Sequence, residues 1–352
     1  MAQFHNLTIK SIENVTEQSV AITFDVPADL KDTFSFKAGQ YITLKTDING
    51  EAVRRDYSIC ASKNSGDLTV AVKAVENGTF SVYANNTLKA GDSIEVAPPN
   101  GRFVFEPNEV KTRTVAAFAA GSGITPILSI AKTLLEEEPF SNFILVYGNK
   151  SSKDTMFFAD LVEMQAKYGN RFHAHFIYSQ SREEGALLGR IEKSTVNLIV
   201  KNKYQGVTIE AFYLCGPEAM IHTIKDTLVE NGIKEKAIFF ELFSAPVATE
   251  NESVTEDLSG NTKIKVLLDD EDFEFEMSKE QTILEAAIKQ DLDAPYSCQG
   301  GICSSCIARV TEGDAKMRQN NILTDNEVAE GLILTCQAHP TSATIVVDYD
   351  DV

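Results

Sequence analysis

Residues 298–306 read Cys298-Gln-Gly-Gly-Ile-Cys303-Ser-Ser-Cys306, and a fourth cysteine, Cys336, follows after 29 intervening residues. This is C-x4-C-x2-C with a distant fourth thiol, the spacing that holds a [2Fe–2S] cluster. Thiolate sulfur is soft and negatively charged, which suits iron. Gly300 and Gly301 allow a tight loop whose amides turn toward sulfur. Structural zinc takes its four cysteines as two close pairs, whereas these stand three plus one. Disulfides need an oxidising compartment, and the sequence gives no sign of export. Around the loop lie a strand pair (Lys263–Leu268, Phe273–Met277) and a helix over Ile283–Lys289, so the cysteines belong to a small α+β domain.

A chain of 352 residues exceeds one ordinary core, so more than one domain is expected. Hydrophobic residues make up 43% and charged residues 24%, as in globular proteins. The first twenty residues lack a basic n-region and an apolar h-region, and no apolar run has the length of a membrane span. A cytoplasmic location is the expectation. Net charge is −19, and it is uneven: residues 247–352 hold 22 acidic and 7 basic residues, a balance of −15, leaving −4 for the rest. Nucleic-acid binding is disfavoured by that sign. An acidic module can steer toward a basic patch on a partner, or simply remain soluble.

Composition divides the chain. Residues 1–107 alternate in short strands at Ser19–Val26, Gln40–Leu44, Leu68–Val75 and Ser93–Ala97, with turns at Asn49-Gly50, Asn77-Gly78 and Gly91-Asp92, which predicts an antiparallel barrel. Residues 108–243 alternate strands (Thr114–Ala119, Phe143–Tyr147, Phe172–Tyr178, Ala211–Leu214) with helices (Pro126–Glu137, Phe157–Lys167, Glu218–Asn231), which predicts a doubly wound parallel α/β domain. Residues 244–261, rich in Ser, Thr and Glu, read as a linker. Residues 262–352 form the cysteine domain.

Two constellations precede the cysteines. In Arg54-Arg55-Asp56-Tyr57-Ser58-Ile59, an arginine can pair a phosphate, a tyrosine can cover a ring and a serine can contact a ring nitrogen. Asn77-Gly78-Thr79-Phe80-Ser81 opens a helix whose first amides suit a pyrophosphate. In the α/β half, Gly121-Ser-Gly123-Ile-Thr125-Pro126 and Cys215-Gly216-Pro217-Glu218 each follow a strand and start a helix, where open α/β sheets bind ligands. The glycines of the first are expected to let a phosphate approach. Cys60 reads as a core residue. Cys215 reads as the lining of a nicotinamide pocket rather than a redox thiol. His173 and His175 share a strand face without a third ligand. No hydrolase constellation is present, and no residue is expected to act as a catalytic acid or base.

Taken in order, Arg55-x-Tyr57-Ser58, Gly78-x-x-Ser81, Gly121-Ser-Gly123-Ile-Thr125-Pro126 and Cys215-Gly216-Pro217 resemble ferredoxin–NADP reductase-like flavoproteins. With the cysteine loop, nearly the whole chain resembles reductase components of multicomponent oxygenases, the phenylacetyl-CoA epoxidase and 3-ketosteroid hydroxylase reductases among them. Pro295–Cys303 and Leu334–Pro340 look especially like that subfamily. The resemblance implies a flavin barrel, a nucleotide domain and a β-grasp ferredoxin domain. It implies Arg55, Tyr57, Ser58, Ala71, Val72 and Lys73 along the flavin, and Gly78 and Ser81 at the pyrophosphate of FAD. FMN relatives share the domain order, but Gly78-x-x-Ser81 and Pro99–Phe103 resemble the FAD group. It further implies Gly121, Gly123, Thr125, Cys215, Gly216 and Pro217 at the nicotinamide, and Phe243 over the flavin with Glu241 as a polar neighbour. The hydride path is thus expected near Ser58, Thr125, Cys215 and Phe243. Ser181, Arg182 and Lys150 are expected to favour NADPH over NADH. Cys298, Cys303, Cys306 and Cys336 would hold the [2Fe–2S] cluster. The implied activity passes electrons from NAD(P)H through FAD and the cluster to an oxygenase or hydroxylase protein docking at the ferredoxin domain. A reductase serving a desaturase or cytochrome, and a non-catalytic redox sensor, are the rival readings.

Overall fold

The computed structural model describes residues 4–243 and 258–352. Most of the expected linker, 244–257, lies outside the described residues. The chain divides into two compact units, one spanning Phe4–Phe243 and the other holding residues 258–352.

In the first unit, six strands form an antiparallel sheet: β1 (His5–Thr16), β2 (Ser19–Asp25), β3 (Tyr41–Ile48), β4 (Glu51–Ser58), β5 (Leu68–Lys73) and β6 (Ser93–Val96), in the order β4-β3-β6-β1-β2-β5. The two edges meet. Ile59, just past β4, bridges Val70 of β5, and Cys60 N donates to Thr69 O at 2.9 Å, so the sheet closes into a barrel. Alternate residues such as Leu7, Ile22, Ile42, Leu44 and Val70 fill its interior, and helix α1 (Thr79–Asn86) adds Phe80 and Ala84 to that core.

The rest of this unit is a parallel sheet. Its elements are β7 (Thr114–Ala120), α2 (Ile124–Glu137), β8 (Asn142–Asn149), α3 (Phe158–Tyr168), β9 (Phe172–Tyr178), β10 (Leu187–Leu188), α4 (Lys193–Asn197), β11 (Ile209–Cys215), α5 (Glu218–Glu230) and β12 (Ile238–Glu241). The strand order is β10-β9-β8-β7-β11-β12, all parallel. The order reverses between β7 and β11, so the carboxyl ends of these two strands flank the topological switch point. Val115, Ala117, Phe143, Leu145 and Tyr213 pack with α2 and α3, while their alternates Phe118, Ile144, Val146 and Phe212 are equally buried. Both faces of the sheet are covered, as a parallel sheet requires.

Ala38, Cys60, Ala71, Phe103 and Phe105 of the barrel pack into the core of the sheet. Phe103 and Phe105 meet the Tyr213 ring edge-on at 5.4 and 6.2 Å. At the carboxyl end of α2 three successive acids are held in place, the first two by the barrel. Glu136 accepts from Ser62, Glu137 from Asn64 at 3.1 Å, and Glu138 from the amide of Asn108 at 2.9 Å and from Arg113 at 2.6 Å. Because α2 starts at the switch point, these ties also fix the loop ahead of it.

The C-terminal unit holds β13 (Asn261–Leu268), β14 (Glu271–Ser278), α6 (Ile283–Lys289), β15 (Ile307–Glu312), β16 (Ala315–Met317), α7 (Asp325–Ala329), β17 (Leu332–Leu334), β18 (Ala338–Pro340) and β19 (Thr344–Asp348). Five strands run β14-β13-β19-β15-β17, with β13 and β19 parallel and the other pairs antiparallel; β16 and β18 pair separately. Helix α6 packs Ile283, Leu284 and Ala287 on the core, the mixed-sheet-and-helix plan of a β-grasp domain. Thr282 and Glu285 close a capping box at its start.

Candidate functional site

Strand β4 delivers its motif to the barrel rim. Arg55 is exposed, Tyr57 is half-buried with its ring 5.4 Å from Phe80, and Ser58 is buried. Ser58 Oγ donates to Glu241 Oε2 at 3.1 Å, joining the barrel to the end of β12. The Glu241 carboxyl is surrounded by protein while the residue keeps partial exposure, as at the wall of a cleft. Burial, with Asp56 adding to it, pushes this carboxyl up to about 8. It therefore carries a proton at neutral pH. Cys215 lies fully buried nearby, its thiol raised by burial first and by Glu241 second.

The two switch-point loops touch. A Cβ on Gly123 would fall 2.2 Å from the carbonyl oxygen of Cys215, so only glycine allows the loops to pack. The sequence predicts that Gly121 and Gly123 make room for phosphate; at Gly123 the space is taken by protein backbone instead. Thr125 is buried and donates to Ser122 O at 3.0 Å, and Tyr147 Oη donates to Gly121 O at 2.8 Å. Gly216 and Pro217 lead into α5 on the other side. Asn149, at the end of β8, keeps its amide buried beside the Tyr147 hydroxyl, and no sequence motif marks it.

Around the pyrophosphate motif, Gly78 is required because Ser81 folds back over it. A Cβ there would stand 2.3 Å from Ser81 Oγ, which accepts from Val75 N at 3.3 Å. No side chain caps α1, so its first-turn amides keep their capacity for an anion. Ala71 is buried beside the nucleotide sheet, whereas Val72 belongs to the barrel core. Strand alternation sends the Val72 side chain into the barrel and the Ala71 side chain the other way. Lys73 is half-buried and its ammonium is lowered, by burial first and by Lys150 against the opposing pull of Asp154. Those two predicted cations thus share one region. A cleft of about 340 Å³ there is lined by Thr16, Glu17, Gln18, Lys73, Lys153 and Asp154.

Ser181 and Arg182 follow β9 as expected, but Ser181 Oγ donates to Glu183 at 2.8 Å, and Ser152 N donates to the same carboxylate at 3.0 Å. Phe243 ends the unit with 39% exposure.

In the C-terminal unit the four cysteines converge. Cys298 hydrogen-bonds with Cys303 and Cys336, and Cys306 with Cys336. Cys306 and Cys336 are buried, and the other two are partly open. Contact with Cys303 and Cys336, and then the amides of Gly300 and Ile302, hold the Cys298 thiol far below its usual range. Gly300 N reaches Cys298 Sγ at 3.4 Å. The same contacts with Cys298 and Cys306 push Cys336 up, so four thiolates cannot coexist there without positive charge. Among the described residues no three His, Cys, Asp or Glu side chains are placed around one metal ion. A two-iron cluster shares its four ligands between two metals and asks for no such triple. The cage fits a [2Fe–2S] cluster. Gln337 Nε2 ties it by donating to Gln299 O at 3.0 Å.

Comparison with known proteins agrees with this layout. Residues 6–105 match the oxidoreductase FAD-binding domain, 118–226 the oxidoreductase NAD-binding domain and 266–341 the 2Fe-2S iron-sulfur cluster binding domain. A component of the 1,2-phenylacetyl-CoA epoxidase of Escherichia coli K12 is 38% identical over 352 residues, 99% of each chain. The chain belongs to the ferredoxin–NADP reductase-like reductase components of multicomponent oxygenases. A second member, the ferredoxin reductase component of 3-ketosteroid-9-alpha-monooxygenase from Rhodococcus rhodochrous, is 30% identical and covers 97% of this chain and 96% of its own. Phthalate dioxygenase reductase has the same structure at a TM-score of 0.62 and 25% identity, covering 98% of both chains. As a member of this family the chain is an oxidoreductase that passes electrons by way of FAD and a [2Fe–2S] centre. No helix among the described residues is long and apolar enough to cross a membrane.

Proposed function

We propose that this reductase draws electron pairs from NADPH and delivers single electrons to the oxygenase component of a phenylacetyl-CoA epoxidase-type system, docking through its ferredoxin domain in the cytoplasm. The observation that carries the reading is the meeting of Ser58, Cys215 and Glu241 at the switch point in a chain that also holds the four-cysteine cage. Full-length similarity to the epoxidase component supports the acceptor. Six free cysteines fit a reducing compartment.

We assign residues 1–107 to the flavin barrel, 108–243 to the nucleotide domain, 244–261 to the linker and 262–352 to the ferredoxin domain. Arg55 pairs a flavin phosphate, Tyr57 covers the ring system, and Gly78, Ser81 and the α1 amides hold the pyrophosphate. Gly121, Thr125, Gly216 and Pro217 shape the nicotinamide crevice, with Phe243 at its mouth. When bound, the nicotinamide, FAD and cluster supply hydride transfer and the change from electron pairs to single electrons. The protein orients them. Ser58 holds the raised Glu241 carboxyl by its Oε2, and the pair would keep a proton beside a bound flavin.

For the nucleotide, Arg182, Lys150 and Lys73 supply positive charge for a 2′-phosphate. Glu183 favours the second reading, NADH, because its carboxylate already holds Ser181 and repels a phosphate. Steady-state kinetics decides: NADPH gives the larger kcat/KM under the primary reading, and NADH under the second. Coupled turnover with purified epoxidase component tests the acceptor, and a reductase active with dyes yet inert toward that component would overturn it.

A further inference from the structure

Beyond the carboxyl ends of β8 and β9 the two segments stay paired. Ser179 N donates to Asn149 O at 3.0 Å, and Gln180 N donates to Lys150 O at 2.9 Å. Where this pairing stops, one carboxylate takes its place. Glu183 Oε1 accepts from Ser152 N at 3.0 Å and from Ser181 Oγ at 2.8 Å. Glu183 thus clasps the loop after β8 to the loop after β9. Lys150, Lys153 and Arg182 lie exposed on these same two loops. The Ser152 amide, with desolvation opposing it, holds the Glu183 carboxyl below its usual range, and Ser181 and Lys153 act in the same direction. The carboxylate is therefore charged at neutral pH.

Open α/β sheets bind a dinucleotide across the carboxyl ends of their strands, where an acid suits a free ribose 2′-hydroxyl and an arginine a 2′-phosphate. Here both kinds of residue follow one another, Arg182 and then Glu183. Ser181 has one proton, and it goes to Glu183, so its oxygen offers a ligand only lone pairs. A lone pair accepts from a hydroxyl and has nothing to give a phosphate. We propose that Glu183 sets the nucleotide selectivity of this reductase, as a positioning residue that fixes Ser181 as an acceptor and opposes the 2′-phosphate that Arg182 and Lys150 attract. The role rests on the proposed placing of the 2′ position at Ser181 and Arg182, but not on which nucleotide the wild-type protein prefers.

The experiment compares the full-length holoprotein with its Glu183→Gln variant, using NADPH and NADH in turn. Glutamine keeps an oxygen that can accept from Ser152 N and Ser181 Oγ, so E183Q removes the charge and keeps the clasp. The ratio of kcat/KM for NADPH to that for NADH is expected to rise about three- to tenfold, the size that an exposed charge facing a phosphate allows. The change should sit in KM for NADPH rather than in kcat. Calorimetric binding of 2′,5′-ADP against 5′-AMP reads the same preference without turnover. A ratio unmoved in E183Q, in kinetics and in calorimetry, overturns the proposal and reduces Glu183 to a staple between loops. Arg182→Ala separates this from the placing of the 2′ position, since R182A should lower the ratio. A ratio moved by R182A and not by E183Q overturns the role of Glu183 alone; one moved by neither overturns the placing as well. Preference of the wild-type protein for NADH would count against the NADPH reading instead, and the rise in E183Q is expected either way.

Discussion

Glu241 is the buried carboxyl that joins the end of β12 to the barrel through Ser58. A carboxyl raised from 4.5 to about 8 binds its proton more tightly folded than unfolded. The folded state therefore holds more protons between those values, and its stability falls as the pH rises through that window. Realised in full, the shift bounds the effect at roughly 4–5 kcal/mol, about 1.4 kcal/mol per unit. Thermal unfolding followed from pH 5 to pH 9 checks this. The wild-type protein should lose stability toward pH 8, and Glu241→Gln should not; equal slopes would contradict the assignment. From sequence alone Glu241 is only a neighbour of Phe243. Its partners, Ser58 and Cys215, lie far off in the chain, and no local pattern announces a contact across 183 positions. The four cysteines are legible because cluster ligands must come at fixed short spacings. Asn149 carries no spacing signal at all, since its place beside Tyr147 exists only once the surrounding core has closed.

At the scale of elements, the switch point depends on two loops in backbone contact. Gly123→Ala would place a methyl group 2.2 Å from the Cys215 carbonyl, and backbone cannot swing aside as a side chain can. Overpacking of this kind costs about 1–3 kcal/mol. Under the proposed function the loops would also aim the nucleotide, and a displacement near 1 Å can cost on the order of 100-fold in rate. Rapid-mixing measurement of flavin reduction should find G123A slowed strongly. Gly121→Ala meets no atom within 4 Å but is strained by a φ of +55°, so it is no neutral control. A G123A variant whose flavin is reduced at the wild-type rate would show that the contact is unimportant. Most strands and helices here follow the sequence periodicities, β9 and α6 to the residue. What periodicity could not supply was pairing. The long β1, with bulges after Ile9 and Asn14, breaks strict alternation, and β12 is a four-residue edge strand. The three acids ending α2 look like an ordinary solvated run; their role as fasteners depends on which loops the fold brings beside them.

For the molecule as a whole, acidic charge is concentrated toward the C-terminus, with a balance of −15 over residues 247–352. Under the proposed docking at the ferredoxin domain, that charge would steer a basic partner face toward it. The rate of electron delivery to the oxygenase component should fall as ionic strength rises from 0.01 to about 0.15 M, where the screening length shrinks from about 30 to about 8 Å. A flat profile would reduce the acidic surface to a solubility device. The central claim is that one chain links a two-electron donor to a one-electron centre. Anaerobic titration of the purified holoprotein with NADPH, followed by visible absorption and by electron paramagnetic resonance, tests it most directly. We predict flavin and iron–sulfur bands that bleach together, about three electron equivalents per chain (two for FAD, one for the cluster), and the resonance of a reduced [2Fe–2S] centre. Uptake of two equivalents, with flavin bands alone and no such resonance, would contradict the account.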